Sequence, residues 1–129
     1  ERERKRERER EPITALLSTA SSVEEAKKIA KELIERRLVA CVNLVPQIIS
    51  VYEWEGVVEE SSEILMIIKT QKSLVETVMT TIKELHSYDV PEIIAFDVAG
   101  GHPAYLQWVR DITLEGFKKT LTTLPNEKN

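Results

Sequence analysis

The hydrophobic pattern of this chain switches between a period of two and a period of 3.6, and the switches divide it into elements. Ile13 to Thr19 is a short apolar run suited to a covered strand. Ser21 and Ser22 each stand three residues before a glutamate, Glu24 and Glu25, which offers two overlapping capping boxes for a helix start. Ala26, Ile29, Ala30, Leu33, Ile34 and Arg37 follow at helical spacing and predict an amphipathic helix of about four turns ending near Arg37. Leu38 to Trp54 and Val57 to Thr70 then read as two strands joined at Glu55-Gly56, a two-residue connection with glycine where a positive φ costs least. Lys72 to His86 returns to helical spacing, with Ser73-x-x-Glu76 as its capping box and Leu74, Val78, Ile82 and Leu85 as its stripe. Val90 precedes Pro91, which disfavours helix, and Glu92 to Val98 is a fourth strand. After Gly100-Gly101, Pro103 opens a last helix carrying Tyr105, Leu106, Trp108, Val109 and Ile112.

The order β-α-β-β-α-β plus a C-terminal helix is the split βαβ, ferredoxin-like arrangement: an α+β sandwich with an antiparallel sheet and two helices on one face. That skeleton serves many functions and selects none of them. The hairpin is more discriminating. An unbroken Leu38–Trp54 arm would span roughly 55 Å at about 3.3 Å per residue, against a radius of gyration of about 13–14 Å for a domain of this size. It must bend or protrude. Pro46 cannot donate a ladder hydrogen bond and marks a bulge. Beyond it, Ile48, Tyr52 and Trp54 alternate with Ile49 and Val51, so both faces of the distal arm are partly apolar, where a ribbon with one wet face would alternate cleanly. A second chain is therefore expected to cover the distal arm.

At 129 residues the chain suits one domain and one core, here placed at residues 12–116, with a charged tail at 1–11 and a C-terminal extension at 117–129. No apolar run reaches the length of a membrane span, so no direct membrane insertion is expected. The opening ERERKRERERE holds six of the 18 basic and five of the 22 acidic residues, which leaves an acidic body. An acidic body argues against a nucleic-acid partner, since phosphate binding needs a concentrated basic face. The tail's alternating signs nearly cancel, and solvated disorder is expected there. A single cysteine, Cys41, excludes both an internal disulfide and a four-cysteine zinc site, and fits a cytoplasmic or other reducing compartment; a leader sequence would lie outside these 129 residues.

Four segments carry a resemblance: RRLVACVNLVPQIISVYEWEG, EILMIIKTQ, LHSYDVPEIIAFDV and YLQWV. In this order, across about Ile13 to Ile112, they resemble signature segments of the CutA divalent-cation-tolerance family, with wording closer to animal-type members. The resemblance implies a homotrimer whose long hairpins pair with neighbouring subunits. It implies a non-enzymatic binding or regulatory role: bacterial members are associated with copper tolerance, and animal members with the anchoring of acetylcholinesterase, which would make a protein partner. An alternative implication is a sensor of small effectors held between subunits, as in the nitrogen-regulatory trimers. On this likeness Tyr52, Trp54, Lys69, Tyr88, Glu92, Tyr105 and Trp108 are expected at the inter-subunit clefts.

Copper wants soft thiolate or imidazole donors placed together. The chain offers Cys41, His86 and His102. Where copper-binding bacterial members resemble one another in a cysteine and a histidine pair, this chain holds Ser18, Leu85 and His86, so one donor of three is kept. No cofactor is expected to be required, and copper or another divalent cation is expected to bind weakly, with His86 and Cys41 the candidate ligands. Cys41 fits a small buried hydrophobe as well, His86 a helix C-terminus, and His102 a loop. Glu59, Glu60 and Glu63 read as a solvated strand face.

Overall fold

The computed structural model describes residues 11–113, so the expectations for residues 1–10 and 114–129 lie outside the described residues. Its elements are β1 (Ile13–Ala20), α1 (Val23–Glu35), β2 (Cys41–Trp54), β3 (Val57–Gln71), a 3-10 turn (Lys72–Leu74), α2 (Val75–Leu85), β4 (Ile93–Asp97) and α3 (Pro103–Ile112). The four strands form one antiparallel sheet in the order β2-β3-β1-β4. This is the split βαβ, ferredoxin-like α+β arrangement expected from the pattern.

Helix α1 begins where the serines place it, by a mixture of the two boxes. The N-cap Ser22 accepts from the Glu25 N–H, while the Glu25 carboxylate reaches back to the N–H and hydroxyl of Ser21. The helix stops at Glu35, two residues before the expected end. Arg37 N–H donates to the Ile34 carbonyl and Leu38 N–H to the Leu33 carbonyl, with Arg37 left-handed at φ 62°, which is a Schellman closure. That reversal occupies Leu38, and the hairpin's first arm therefore starts at Cys41 and not at Leu38. The second capping box does not form. Lys72 N–H is bound to the Pro12 carbonyl as the chain leaves β3, and the first turn is drawn in to 3-10 geometry, so Ser73 lies inside it and Leu74 caps α2 without a side-chain bond.

The hairpin behaves as its sequence demands. Glu55 and Gly56 are both at positive φ, 51° and 83°, the signature of a type I′ turn. Val45 pairs with Leu65 but the next pair is Ile48 with Glu63, so Pro46 and Gln47 bulge from the strand, and Gln47 is left-handed at φ 60°.

The even-numbered positions of β1 and β3 face α1 and α2. Leu16, Met66 and Ile68 meet Ile29 and Leu33 of α1 and Val78 and Ile82 of α2, all with no exposed surface. Burying each such side chain contributes about 1.5–3 kcal/mol. The odd-numbered positions form the opposite face. Helix α3 covers one end of that face: Val109 packs on Ile13 and Ala40, and Gln71 donates to the Arg110 carbonyl and the Thr113 hydroxyl. The middle stays open, with Val45, Ile94 and Phe96 exposed beside half-buried Ala15, Leu17, Leu65 and Ile67. Among the described residues, then, one sheet face is packed and the other is an uncovered apolar surface.

Candidate functional site

Two groups of candidate side chains stand on this sheet face, one at each end. The bulge at Pro46 creates the first. By adding a residue to β2 it reverses the strand's parity, so that Ser50, Tyr52 and Trp54 share a face with Glu63 and Thr19. The loop before β4 supplies Tyr88, Asp89, Val90 and Glu92 as a second wall. Between them lies a groove of about 640 Å³ lined by Thr19, Ser50, Val51, Tyr52, Trp54, Glu63 and those four loop residues.

Glu63 is 7 % exposed and does not stand on a solvated strand face as its sequence context suggests; Glu59 and Glu60 do. Its parity with Leu65 and Ile67 puts it on the sheet face, under Tyr88, whose hydroxyl donates to Glu63 Oε2 at 2.9 Å. Burial and the Glu63 carboxylate push the Tyr88 phenol up to about 12, so it stays a hydrogen-bond donor across the physiological range.

The loop is pinned from behind. The Ser87 N–H donates to Glu25 Oε2 at 2.7 Å, and the Ser18 hydroxyl donates to the Glu92 carbonyl at 2.6 Å. His86 has a fully buried side chain, with Nε2 2.6 Å from the Thr19 carbonyl and Nδ1 accepting from the Tyr88 N–H at 3.0 Å. Both contacts are met by the tautomer with its hydrogen on Nε2. Its ring lies against Tyr88, centroid to centroid 4.6 Å.

The second group lies by α3. Cys41 is half-buried and not enclosed as a core residue, because it faces the open side of the edge strand. Its sulfur is 3.9 Å from Lys69 Nζ and 3.9 Å from Asn43 Oδ1, and Lys69 also donates to Asn43. Burial, with Cys41 beside it, pushes the Tyr105 phenol up. Tyr105 stands with Trp108 at 5.7 Å between ring centroids. His102 is the N-cap of α3, its Nδ1 accepting from the Tyr105 N–H at 3.3 Å.

The seven expected cleft residues thus fall into two sets within one chain: Tyr52, Trp54, Tyr88 and Glu92 at the groove, and Lys69, Tyr105 and Trp108 at the Cys41 end. His86 and Cys41 are not brought together. In register Cys41 stands at the level of Ala15, while His86 binds Thr19, four residues along β1 and so roughly 13 Å away. Among the described residues no three His, Cys, Asp or Glu side chains gather as a metal site. No described helix is long and apolar enough to cross a membrane. The sequence pattern did not single out Asn43 or Asp89 as site residues, and it misread Glu63; the period-two parity of β3 was the signal that could have placed Glu63.

The family model for the CutA1 divalent ion tolerance protein matches residues 14–112. The human protein named Protein CutA is 48% identical over 113 residues, covering 88% of this chain and 63% of its own length. The chain therefore spans less than two thirds of that relative. Among solved structures, CutA1 from Oryza sativa superposes with a TM-score of 0.79 at 43% identity, covering 81% of this chain and 95% of that one. The divalent cation tolerance protein from Thermus thermophilus superposes at 0.77 with 44% identity, covering 78% and 98%.

Proposed function

We propose a function from one premise: the chain belongs to the CutA1 divalent ion tolerance family. The protein works as a homotrimeric binding protein with no chemistry of its own, holding its ligands in clefts between subunits. The observation that carries this reading is the open apolar face. Val45, Ile94 and Phe96 are exposed around a half-buried centre, Tyr52, Trp54 and Val57 continue that face along the ribbon, and Ile49, Val51 and Val58 are exposed on the ribbon's other face. Large exposed apolar faces of this kind mark interaction surfaces. A second feature supports the same reading: among the described residues β2 and β4 are the edge strands of the sheet, and an edge offers backbone groups to a neighbour. Rotational repetition of one contact closes a ring and leaves no open edge, where a single head-to-tail contact would not.

In that assembly the Tyr52/Trp54 end of one subunit and the Tyr105/Trp108 end of another supply the walls of each cleft. Divalent metal ions bind weakly. Both nitrogens of His86 already hold backbone partners, so a metal must displace one of them. This metal role is the one the names of the relatives suggest, and a regulatory or anchoring role for a further protein partner would use the same clefts.

Phe96→Glu tests the reading. Phe96 is 50 % exposed in the protomer, so a charge there does little harm to a lone chain but is costly under a neighbour. The expected result is loss of the trimer with helicity retained. An assembly of unchanged mass and stability would show that the face is not an interface.

A further inference from the structure

The bulge at Pro46 and Gln47 stands at the root of the ribbon. β1 pairs with β3 as far as Ala20 opposite Ile64, and from Glu63 onward β3 has, among the described residues, only β2 beside it. The register of β2 shifts at that same rung, between Val45 opposite Leu65 and Ile48 opposite Glu63. The joint between the four-stranded sheet and the two-stranded ribbon therefore coincides with an added residue. A bulge bends its strand and increases the local twist, so this one sets the direction in which the ribbon leaves the sheet.

The hairpin does not need that residue for its own pairing. Without Pro46, Gln47 would stand opposite Ile64, and every pair from Cys41 with Lys69 to Val45 with Leu65, and from Ile48 with Glu63 to Trp54 with Val57, would keep its partner and its face. The turn at Glu55 and Gly56 would be untouched. The bulge instead strains the lone chain. Gln47 carries a Cβ and is held left-handed at φ 60°, Pro46 has no N–H to give the ladder, and both residues are exposed. Among the described residues no hydrogen bond from the Gln47 side chain offsets this. Strain that the protomer does not use points to a use outside it.

We infer that the bulge aims the ribbon at a second copy of this chain, fixing the angle at which Tyr52 and Trp54 on one face, and Ile49, Val51 and Val58 on the other, meet their cover. A second copy is the occupant because the Tyr52 and Trp54 face continues the open sheet face that the assembly covers. This deepens the assembly proposed above and rests on it. From Ile48 to Trp54 the ribbon extends about 20 Å at about 3.3 Å per residue. A swing of about 20° at its root, the size of one strand-to-strand twist, moves the tip by about 7 Å. Apolar side chains lose contact beyond about 4.5 Å.

Deletion of Pro46 from the full chain is the test. Gln47→Gly, which keeps the added residue and relieves the left-handed strain, is the control. Mass by light scattering and helicity by circular dichroism are read across a dilution series for the parent and both variants. The deletion variant is expected to keep its helicity and to fall towards the mass of one protomer at a concentration at least about tenfold above the lowest at which the parent stays assembled. Gln47→Gly should stay assembled like the parent. A deletion variant as resistant to dilution as a trimeric parent overturns this inference and leaves the assembly standing. A parent with the mass of one protomer removes the assembly and this inference with it. A deletion variant heavier than the parent would mean that the bulge guards an edge against open-ended pairing, and equal dissociation of Gln47→Gly would make the Gln47 side chain the contact; either result overturns the inference. Should deletion of Pro46 abolish helicity, deletion of Gln47 straightens the same ladder with Pro46 opposite Ile64. Loss of helicity in both would make the bulge a requirement of the protomer's own fold, and would also overturn the inference.

Discussion

Replacing Glu25 with glutamine should loosen the wall of the groove and change how the protein responds to acid. The carboxylate accepts from the Ser21 N–H at 3.1 Å, the Ser21 hydroxyl at 2.9 Å and the Ser87 N–H at 2.7 Å, so it ties the start of α1 to the loop that carries Tyr88 and Asp89. Burial raises its pKa, but the Ser87 and Ser21 hydrogen bonds outweigh that and hold it at about 2, against 4.5 for the free group. A shift of that size corresponds to about 3 kcal/mol. The bonds are at the molecule's edge, where water screens them, and about 2 kcal/mol is the better expectation. Because the folded pKa lies below the unfolded one, this stabilisation is complete above about pH 4.5 and is lost as pH falls towards 2. Glu25→Gln should therefore unfold about 2 kcal/mol more easily than the parent near pH 7, and the gap should close as pH falls to 2. Urea unfolding at one fixed protein concentration, across that pH range, reads both quantities, since an oligomer's apparent stability depends on concentration. A gap that is absent near pH 7, or that stays constant down to pH 2, would refute the reasoning.

Trp54→Ala should weaken the assembly more than the protomer, because the indole is 58 % exposed in one chain; covering that surface would contribute about 3 kcal/mol per subunit, and truncation should lower the mass at dilution without loss of helicity. Leu33→Ala, at a position with no exposed surface in the core against Ile29 and Val78, should instead cost the protomer about 2–5 kcal/mol and reduce its circular dichroism midpoint. Copper should bind with a Kd weaker than about 1 μM, and His86→Ala should remove most of that binding; calorimetry giving sub-micromolar affinity unaffected by the change would show that other residues are the ligands.

The sequence made the element order legible because its periods are clean, and Pro46 and Glu55-Gly56 were readable because their backbone chemistry leaves few choices. Element starts were less so. Leu38 looks like strand by its apolar character, yet it closes the Schellman turn of α1, and nothing in its side chain announces that. Ser73 and Glu76 have the spacing of a capping box, but the Pro12 carbonyl holds Lys72 and tightens the turn before a box can form. Long-range contacts of this kind leave no local trace.

The sequence does not convey how the expected cleft residues are laid out. Tyr52, Trp54, Tyr88 and Glu92 do line one groove, yet Lys69, Tyr105 and Trp108 stand at the far end of the same sheet face. Glu63 was hidden by its company. Beside Glu59 and Glu60 it reads as one more solvated carboxylate, although its period-two parity with Leu65 and Ile67 puts it on the groove's face. The odd-numbered apolar positions of β1 and β3 were visible as a continuous run, but a run buried on two faces and a run waiting for a partner look alike in one dimension.

The mass of the unmodified chain in solution tests the central claim most directly. Light scattering from micromolar concentration downward should give a mass close to three times 14.8 kDa that holds on dilution, because an interface built from an exposed sheet face and a long ribbon is large and core-like. A mass of one protomer across that range would contradict the account, for the open face would then be stable in water with nothing on it.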